Sequence, residues 1–440
     1  MTSDPSFTFE STTNSELEIA RTHVRQGNLA DAEQVYRQVA ATQPDQVEAL
    51  RFLANAALSR GNPGEAVALL SRAAKADRND VGVLLELGVA YRSAQRMDEA
   101  RSVFERATEL SQGHNSTARL LLANVFELDD RPEMALPHYF RAILDAQAAG
   151  QWLNDSTTEP GLRQLVQHAM QYVTTGRRNL FHGALEPFRR GINAARLGRV
   201  DAALAAYLRD RTEPPADPRQ QPTFLYIPDL GAKCFLDTAS FDWLPGWSVR
   251  AATLGDEALA CTTPAAETAS PPLFSLEAMK GGQNAVIAPA SEQQVPLYRR
   301  GAFDDRIRNR APRLSETIDL APLVHIPKYG PDAAILVLHP GVRTTPRRGR
   351  TNAFCTIVVA FSGSSPLQVM VGGETRQMRA AESLAFDPSF EFEYAAVGDA
   401  QARALILDVW NPNISPLERD ALTALTAAVV DFDARLRDLA

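Results

Sequence analysis

Four arginines crowd one stretch of this chain: Arg343, Arg347, Arg348 and Arg350 within PGVRTTPRRGRTN (340–352). A guanidinium is a permanent cation with five N–H donors in a fixed fork, suited to a carboxylate or a phosphate. Four of the 45 basic residues are lysines, so the chain is arginine-rich throughout, and a cluster weighs less here than elsewhere. A second run, RRGAFDDRIRNR (299–310), is partly offset by Asp304 and Asp305 and reads as a solvated rim. The carboxy-terminal half holds two histidines, His325 and His339, and neither makes an HxD or HxxH spacing. They are fallback metal ligands only. The three cysteines, Cys234, Cys261 and Cys355, are widely spaced with no CxxC, which excludes a disulfide framework and a cysteine zinc site. No phosphate loop, GxGxxG, GxSxG or HExxH occurs.

The elements that must position these residues begin with a repeat. Alanine recurs at Ala32, Ala66 and Ala100. Tyr36, Leu70 and Phe104 follow four residues later, and Val39, Ala73 and Ala107 three beyond those. Gly27 and Gly61 hold the turn of the first two units, Leu87-Gly88 with Tyr91 opens the third, and Ala135, Tyr139 and Ala142 mark a fourth, offset by one. A 34-residue period with small residues where helices cross resembles the tetratricopeptide repeat. Such an array implies a concave surface for a peptide or protein partner. Helical spacing continues through 162–173 and 192–208, and four prolines between Pro214 and Pro222 then break it.

From Thr223 the texture changes to short apolar segments cut by Gly and Pro: FLYIP, AAILVL, AFCTIVVAF, LQVMV, SLAF, FEFEYAAV and ARALILDVW. These predict an all-β sandwich or barrel. At the end Ser415 and Glu418 form a capping-box pattern with Pro416 at the first helical position. Leu422, Leu425, Val429, Phe432, Leu436 and Leu439 form one stripe. It predicts intramolecular packing, with a homodimer seam as the alternative. The expected organisation is a disordered 1–12, repeats over 13–150, a helical extension over 151–212, a Pro-rich linker at 213–222, a β domain over 223–412 and an amphipathic helix over 413–440.

Five segments, in order, carry a family resemblance: FLYIPDLGAKCFLDTASFDWLPGW (224–247), PGVRTTPRRGRTN, VGGETRQM (371–378), LAFDPSFEFEYA (384–395) and LILDVWNP (405–412). They look like the aspartyl/asparaginyl β-hydroxylases, whose bacterial members often carry repeat helices in front. The resemblance implies a double-stranded β-helix (a jelly-roll, cupin-like fold) and the chemistry of Fe(II)- and 2-oxoglutarate-dependent oxygenases. It sets the first histidine ligand at Arg347, in Pro346-Arg347-Arg348-Gly349, and the second at Phe392. Neither side chain offers a lone pair to a divalent metal. The cosubstrate anchors fall on Thr356, Val358 and Ala402, and the histidine after DVW on Asn411. Arg403 is adjacent to Ala402 but on the opposite strand face unless a bulge intervenes. Glu391 and Glu393, flanking Phe392, are expected to be solvated.

Three readings follow. The first is a non-catalytic family member that binds a peptide or protein through its repeats and emptied pocket, with Arg347, Thr356, Val358, Phe392, Arg403, Arg343 and Arg350 as ligand-binding candidates and no cofactor. The second is a working Fe(II)/2-oxoglutarate peptidyl hydroxylase with a rearranged site using His325 or His339 and Arg403. The third is a metal-free pocket for a small anion on Arg347.

Composition bounds all three. At 440 residues, 45% hydrophobic and 22% charged, the chain is a folded multidomain protein. A net charge of −8 argues against a general nucleic-acid binder. The polar N-terminus and the lack of an apolar run near about 18 residues argue against a signal peptide or membrane span, so a cytoplasmic location is expected.

Overall fold

A computed structural model of the chain describes residues 5–191, 193–262 and 292–439. Eight helices come first: α1 (Pro5–Arg25), α2 (Leu29–Thr42), α3 (Val47–Ser59), α4 (Pro63–Ala76), α5 (Val81–Ser93), α6 (Met97–Leu110), α7 (Ser116–Leu128) and α8 (Pro132–Ala148). The repeat alanines Ala32, Ala66, Ala100 and Ala135 are fully buried, as are Phe104 and Tyr139. At Gly88 the absence of a side chain lets α5 lie against α6, because a Cβ there would stand 2.4 Å from the Phe104 ring. The turn inside each unit needs a left-handed residue. Gly27 (φ 77°) and Gly61 (φ 74°) supply it in the first two units, and Gln95 (φ 59°) and Asp130 (φ 53°) take the same place in the next two. Helix α1 begins at Pro5, not after an irregular 1–12. Extending an existing helix backwards costs little once a nucleus is formed. Residues 1–4 of that expected segment lie outside the described residues.

The chain divides into two compact units, one of residues up to Arg177 together with Phe432 onward, the other Arg178–Asp431. The division falls inside two continuous helices, α9 (Arg163–Leu185) and the terminal helix (Pro416–Asp438). The expected break at 213–222 is therefore not where the units part. That segment packs on the β domain: Gln221 N–H donates to Ser389 O at 2.9 Å, and the buried Gln220 amide donates to Asp387 at 2.9 Å. Prolines end the helical pattern here without loosening the chain.

Among the described residues ten strands follow: β1 (Phe235–Leu236), β2 (Glu292–Arg299), β3 (Ala302–Phe303), β4 (Ala333–Leu338), β5 (Phe354–Ala360), β6 (Leu367–Val371), β7 (Glu374–Met378), β8 (Ser383–Phe386), β9 (Phe392–Ala396) and β10 (Ala402–Trp410). They form a sheet in the order β1-β8-β5-β10-β4-β2-β3 and a smaller one, β7-β6-β9, with every named pair antiparallel. Alternation splits the core in two. Cys355, Ile357 and Val359 of β5, with Leu405, Leu407 and Val409 of β10, pack against Leu244, Trp247 and Leu314 on the helical side. Val358, Ala402, Ala404 and Ile406 face the smaller sheet, against Val369, Val371, Phe392 and Tyr394.

Two segments differ from the pattern. FLYIP forms only an isolated bridge, Leu225 with Thr351, because the Asn352 side chain satisfies both Ile227 N–H and C=O at 2.7 Å in place of a ladder. Strand β2, like β1, β3 and β7, lies outside the apolar segments that mark the remaining strands. It is polar at its start and interrupted at Pro296, where its register shifts.

In the terminal helix the capping box forms, with Ser415 N–H donating to the Glu418 carboxylate at 2.9 Å and Glu418 N–H to Ser415 Oγ at 3.4 Å. Leu422, Leu425, Val429, Phe432 and Leu436 are buried within the chain. The stripe therefore packs intramolecularly, and it does not stand free as the homodimer seam offered as the alternative. No helix among the described residues is long and apolar enough to cross a membrane.

Candidate functional site

The arginine loop does not hang free. Residues 342–347 run antiparallel beside β9: Ala396 N–H donates to Val342 O at 2.9 Å and Thr344 N–H to Tyr394 O at 2.8 Å. Arg347 and Phe392 exchange both backbone hydrogen bonds, at 2.9 and 2.8 Å. Directly opposed residues of an antiparallel pair share a face. Both side chains therefore enter the space between the sheets. Phe392 packs there with ring centroids 5.0 Å from Phe386 and 5.8 Å from Tyr394.

Arg347 meets a carboxylate from the other sheet. Its Nη2 donates to Glu292 Oε1 at the head of β2, with side chains 5% and 1% exposed. Glu292 also accepts from Gln294 Nε2 at 3.1 Å. Arg347 Nη1 and the Tyr394 hydroxyl are buried with no hydrogen-bond partner among the described residues.

Every other arginine of the loop is likewise answered. Arg343 pairs with Glu393, Arg348 with Glu391 at 3.2 Å, and Arg350 with the buried Asp332 at 2.7 Å. Arg350 also donates to Tyr329 O at 2.7 Å and lies 4.0 Å over the Tyr329 ring. The two strand glutamates expected to be solvated, Glu391 and Glu393, are thus the loop's counter-charges. As anion anchors, Arg343 and Arg350 are already engaged.

Thr356, Val358 and Ala402 are buried on the same inter-sheet face as Phe392 and Arg347. Thr356 Oγ1 donates to Asp408 Oδ1 at 3.1 Å. Burial, then the neighbouring Asp332 carboxylate, push the Asp408 carboxyl up to about 7, against the pull of Arg350 and Thr356. Asp387, buried beneath Gln220 and Ser389, is raised to about 6, again mainly by burial. Arg403 leaves this group. It pairs in register with Val337 on the helical face, and its Nη1 approaches Gly255 O at 3.5 Å. No bulge turns it inward, so strand alternation excludes it from the inter-sheet site.

His325 and His339 are exposed. The His325 ring lies 6.4 Å from Tyr298, on the helical side. Among the described residues no three His, Cys, Asp or Glu side chains converge in a group that could hold a metal ion, so the fallback ligands do not assemble one.

Sequence reasoning missed Glu292, Tyr394 and Asp408. Asp408 carried a signal, being the one acid inside the apolar run ALILDVW. Glu292 carried none.

With this geometry in place, comparison with known proteins is informative. A family model described as Aspartyl/Asparaginyl beta-hydroxylase matches residues 253–412. This part of the chain is similar to an aspartyl/asparaginyl β-hydroxylase domain. Two Tetratricopeptide repeat models match residues 17–81 and 57–125 in front of the hydroxylase domain. The rat protein "Aspartate beta-hydroxylase domain-containing protein 2" is 30% identical over 99 residues, 22% of this chain. Human "Aspartyl/asparaginyl beta-hydroxylase" is 25% identical over 135 residues, 30% of this chain. The matches span 29% and 17% of those relatives' own lengths. Among solved structures, "Crystal structure of MamA protein" is 18% identical, with 39% of this chain and 94% of that chain covered at a TM-score of 0.29.

Proposed function

We propose that the hydroxylase domain is non-catalytic and serves, with the repeats, to bind a peptide or protein partner. The observation that carries this reading is the buried Arg347–Glu292 pair between the sheets. The resemblance assigns the first iron ligand to Arg347 and the second to Phe392. A guanidinium tied to a carboxylate and a phenyl ring do not suit Fe(II), which needs imidazole or carboxylate donors with open positions. These two side chains leave an oxygenase step at this site without ligands for its iron. For the small-anion reading, Glu292 already neutralises Arg347, so an added anion would be buried without compensation. The free, buried cysteines are in keeping with a reducing, cytoplasmic setting.

The test is titration of the full chain with Fe(II) and 2-oxoglutarate while succinate is followed. The expected result is no metal-dependent succinate, and succinate release that needs the metal overturns the proposal. Thermal stabilisation by 2-oxoglutarate alone, lost in Arg347→Ala, would instead restore the anion pocket.

A further inference from the structure

The first helices of successive repeat units are joined by a ladder of side chains. Arg21 grips Glu48 at 2.6 and 2.9 Å, Arg51 grips Glu86 at 2.7 and 3.0 Å, and His168 of α9 meets Glu127 at 2.8 Å. One rung differs. Arg92 of α5 donates from Nη1 to the uncharged Asn124 Oδ1 at 2.6 Å, and among the described residues no carboxylate pairs with it. Arg92 is half-buried, and burial holds its pKa below the ordinary guanidinium value, as expected for a cation that has lost water without gaining a counter-ion.

The surroundings cannot supply that counter-ion. Asn124 Nδ2 donates to the Tyr139 hydroxyl at 3.2 Å, Tyr139 donates to Glu127 at 2.7 Å, and Glu127 also holds His168. The acid at the end of this chain of hydrogen bonds is thus engaged by two other groups. Tyr172 is half-buried, its ring centroid 5.3 Å from Tyr139, and provides an apolar shelf in the same rung region.

We infer that Arg92 is the anchor for an acidic side chain of an extended partner segment laid along this face of the repeats. This rests on the partner-binding reading above and adds the chemistry of the partner. One acid is expected, flanked by uncharged residues, because the carboxylates of the rungs on either side, Glu86 and Glu127, would repel further acids. Repeat helices continue on both sides of α5, so a side chain within a passing segment fits better than a terminal carboxylate. A guanidinium that spends one of its five donors on Asn124 can take that carboxylate through two parallel N–H donors.

Selection of random twelve-residue peptides displayed on phage, with the full chain as bait, tests this. Asp or Glu should be enriched at one position by about tenfold over the unselected library. Arg92→Gln should abolish that enrichment while leaving apolar preferences, and Arg51→Gln should not. If Arg92→Gln lowers the melting temperature too far to use, Asn124→Asp serves instead: it supplies the missing carboxylate from within and should also abolish the acidic preference. Apolar enrichment without an acidic position, or acidic enrichment that survives both variants, overturns this inference alone. Failure to enrich any peptide overturns the partner-binding reading of the repeats as well.

Discussion

Arg347 and Glu292 are each tolerable between the sheets only because the other is present. Removing one partner of a buried pair leaves an uncompensated charge and costs about 3–5 kcal/mol, whereas replacing both by apolar side chains is often neutral. Arg347→Met is therefore expected to lower the denaturant midpoint of the β domain strongly, and Arg347→Met with Glu292→Leu to recover most of the loss. Singles no worse than the double would show that the pair is not coupled. Asp408 and Asp387 make a second prediction, with a defined sign. Both bind a proton more tightly folded than unfolded, so folding takes up protons and stability falls as pH rises from about 4 towards 7 for Asp408 and 6 for Asp387. Asp408→Asn should remove its share, about 1.4 kcal/mol per pH unit within that window. Urea midpoints of the two proteins at pH 5 and pH 7 check it, and a gap that does not widen with pH refutes it. Much of this chemistry was half-legible. The sequence picked out Arg347 as an inward cation, but its partner stands 55 residues upstream in a polar strand. No local pattern announces a pairing that only sheet register creates.

Elements whose signal is periodic were legible in detail. The 34-residue spacing located the buried alanines, and the small residue at Gly88 opposite Phe104 is the same packing rule seen in three dimensions. Gly88→Ala is expected to cost about 1–3 kcal/mol, because the Phe104 ring is fully buried and cannot retreat. Combining it with Phe104→Leu should cost less than the sum of the two single changes, since each makes room for the other. Thermal unfolding of the four proteins closes that cycle, and strict additivity would deny the contact. Illegible were elements defined by non-local partners. Prolines at 214–222 read as a linker, yet the segment's hydrogen bonds go to Ser389 and Asp387, the latter 167 positions away. Likewise FLYIP had strand composition, but Asn352 satisfied its backbone first.

At the scale of the whole molecule, the residues from Phe432 onward belong with the repeats, not with the β domain that precedes them. Phe432 lies against Phe140 of α8 with centroids 5.6 Å apart. Deleting residues 432–440 is expected to speed amide exchange in α8 by about a hundredfold, as for loss of a buried aromatic, while β10 keeps its protection. Hydrogen exchange followed by mass spectrometry reads both at once, and loss of protection in β10 with α8 intact would reverse the assignment. The same chain path bears on biosynthesis. A ribosome moving at about 5–20 residues per second finishes the eighth helix, then needs roughly 15–60 seconds to reach the segment that completes its packing. The repeat helices are therefore completed only after the β domain has been made, and until that later segment arrives they wait, incompletely covered.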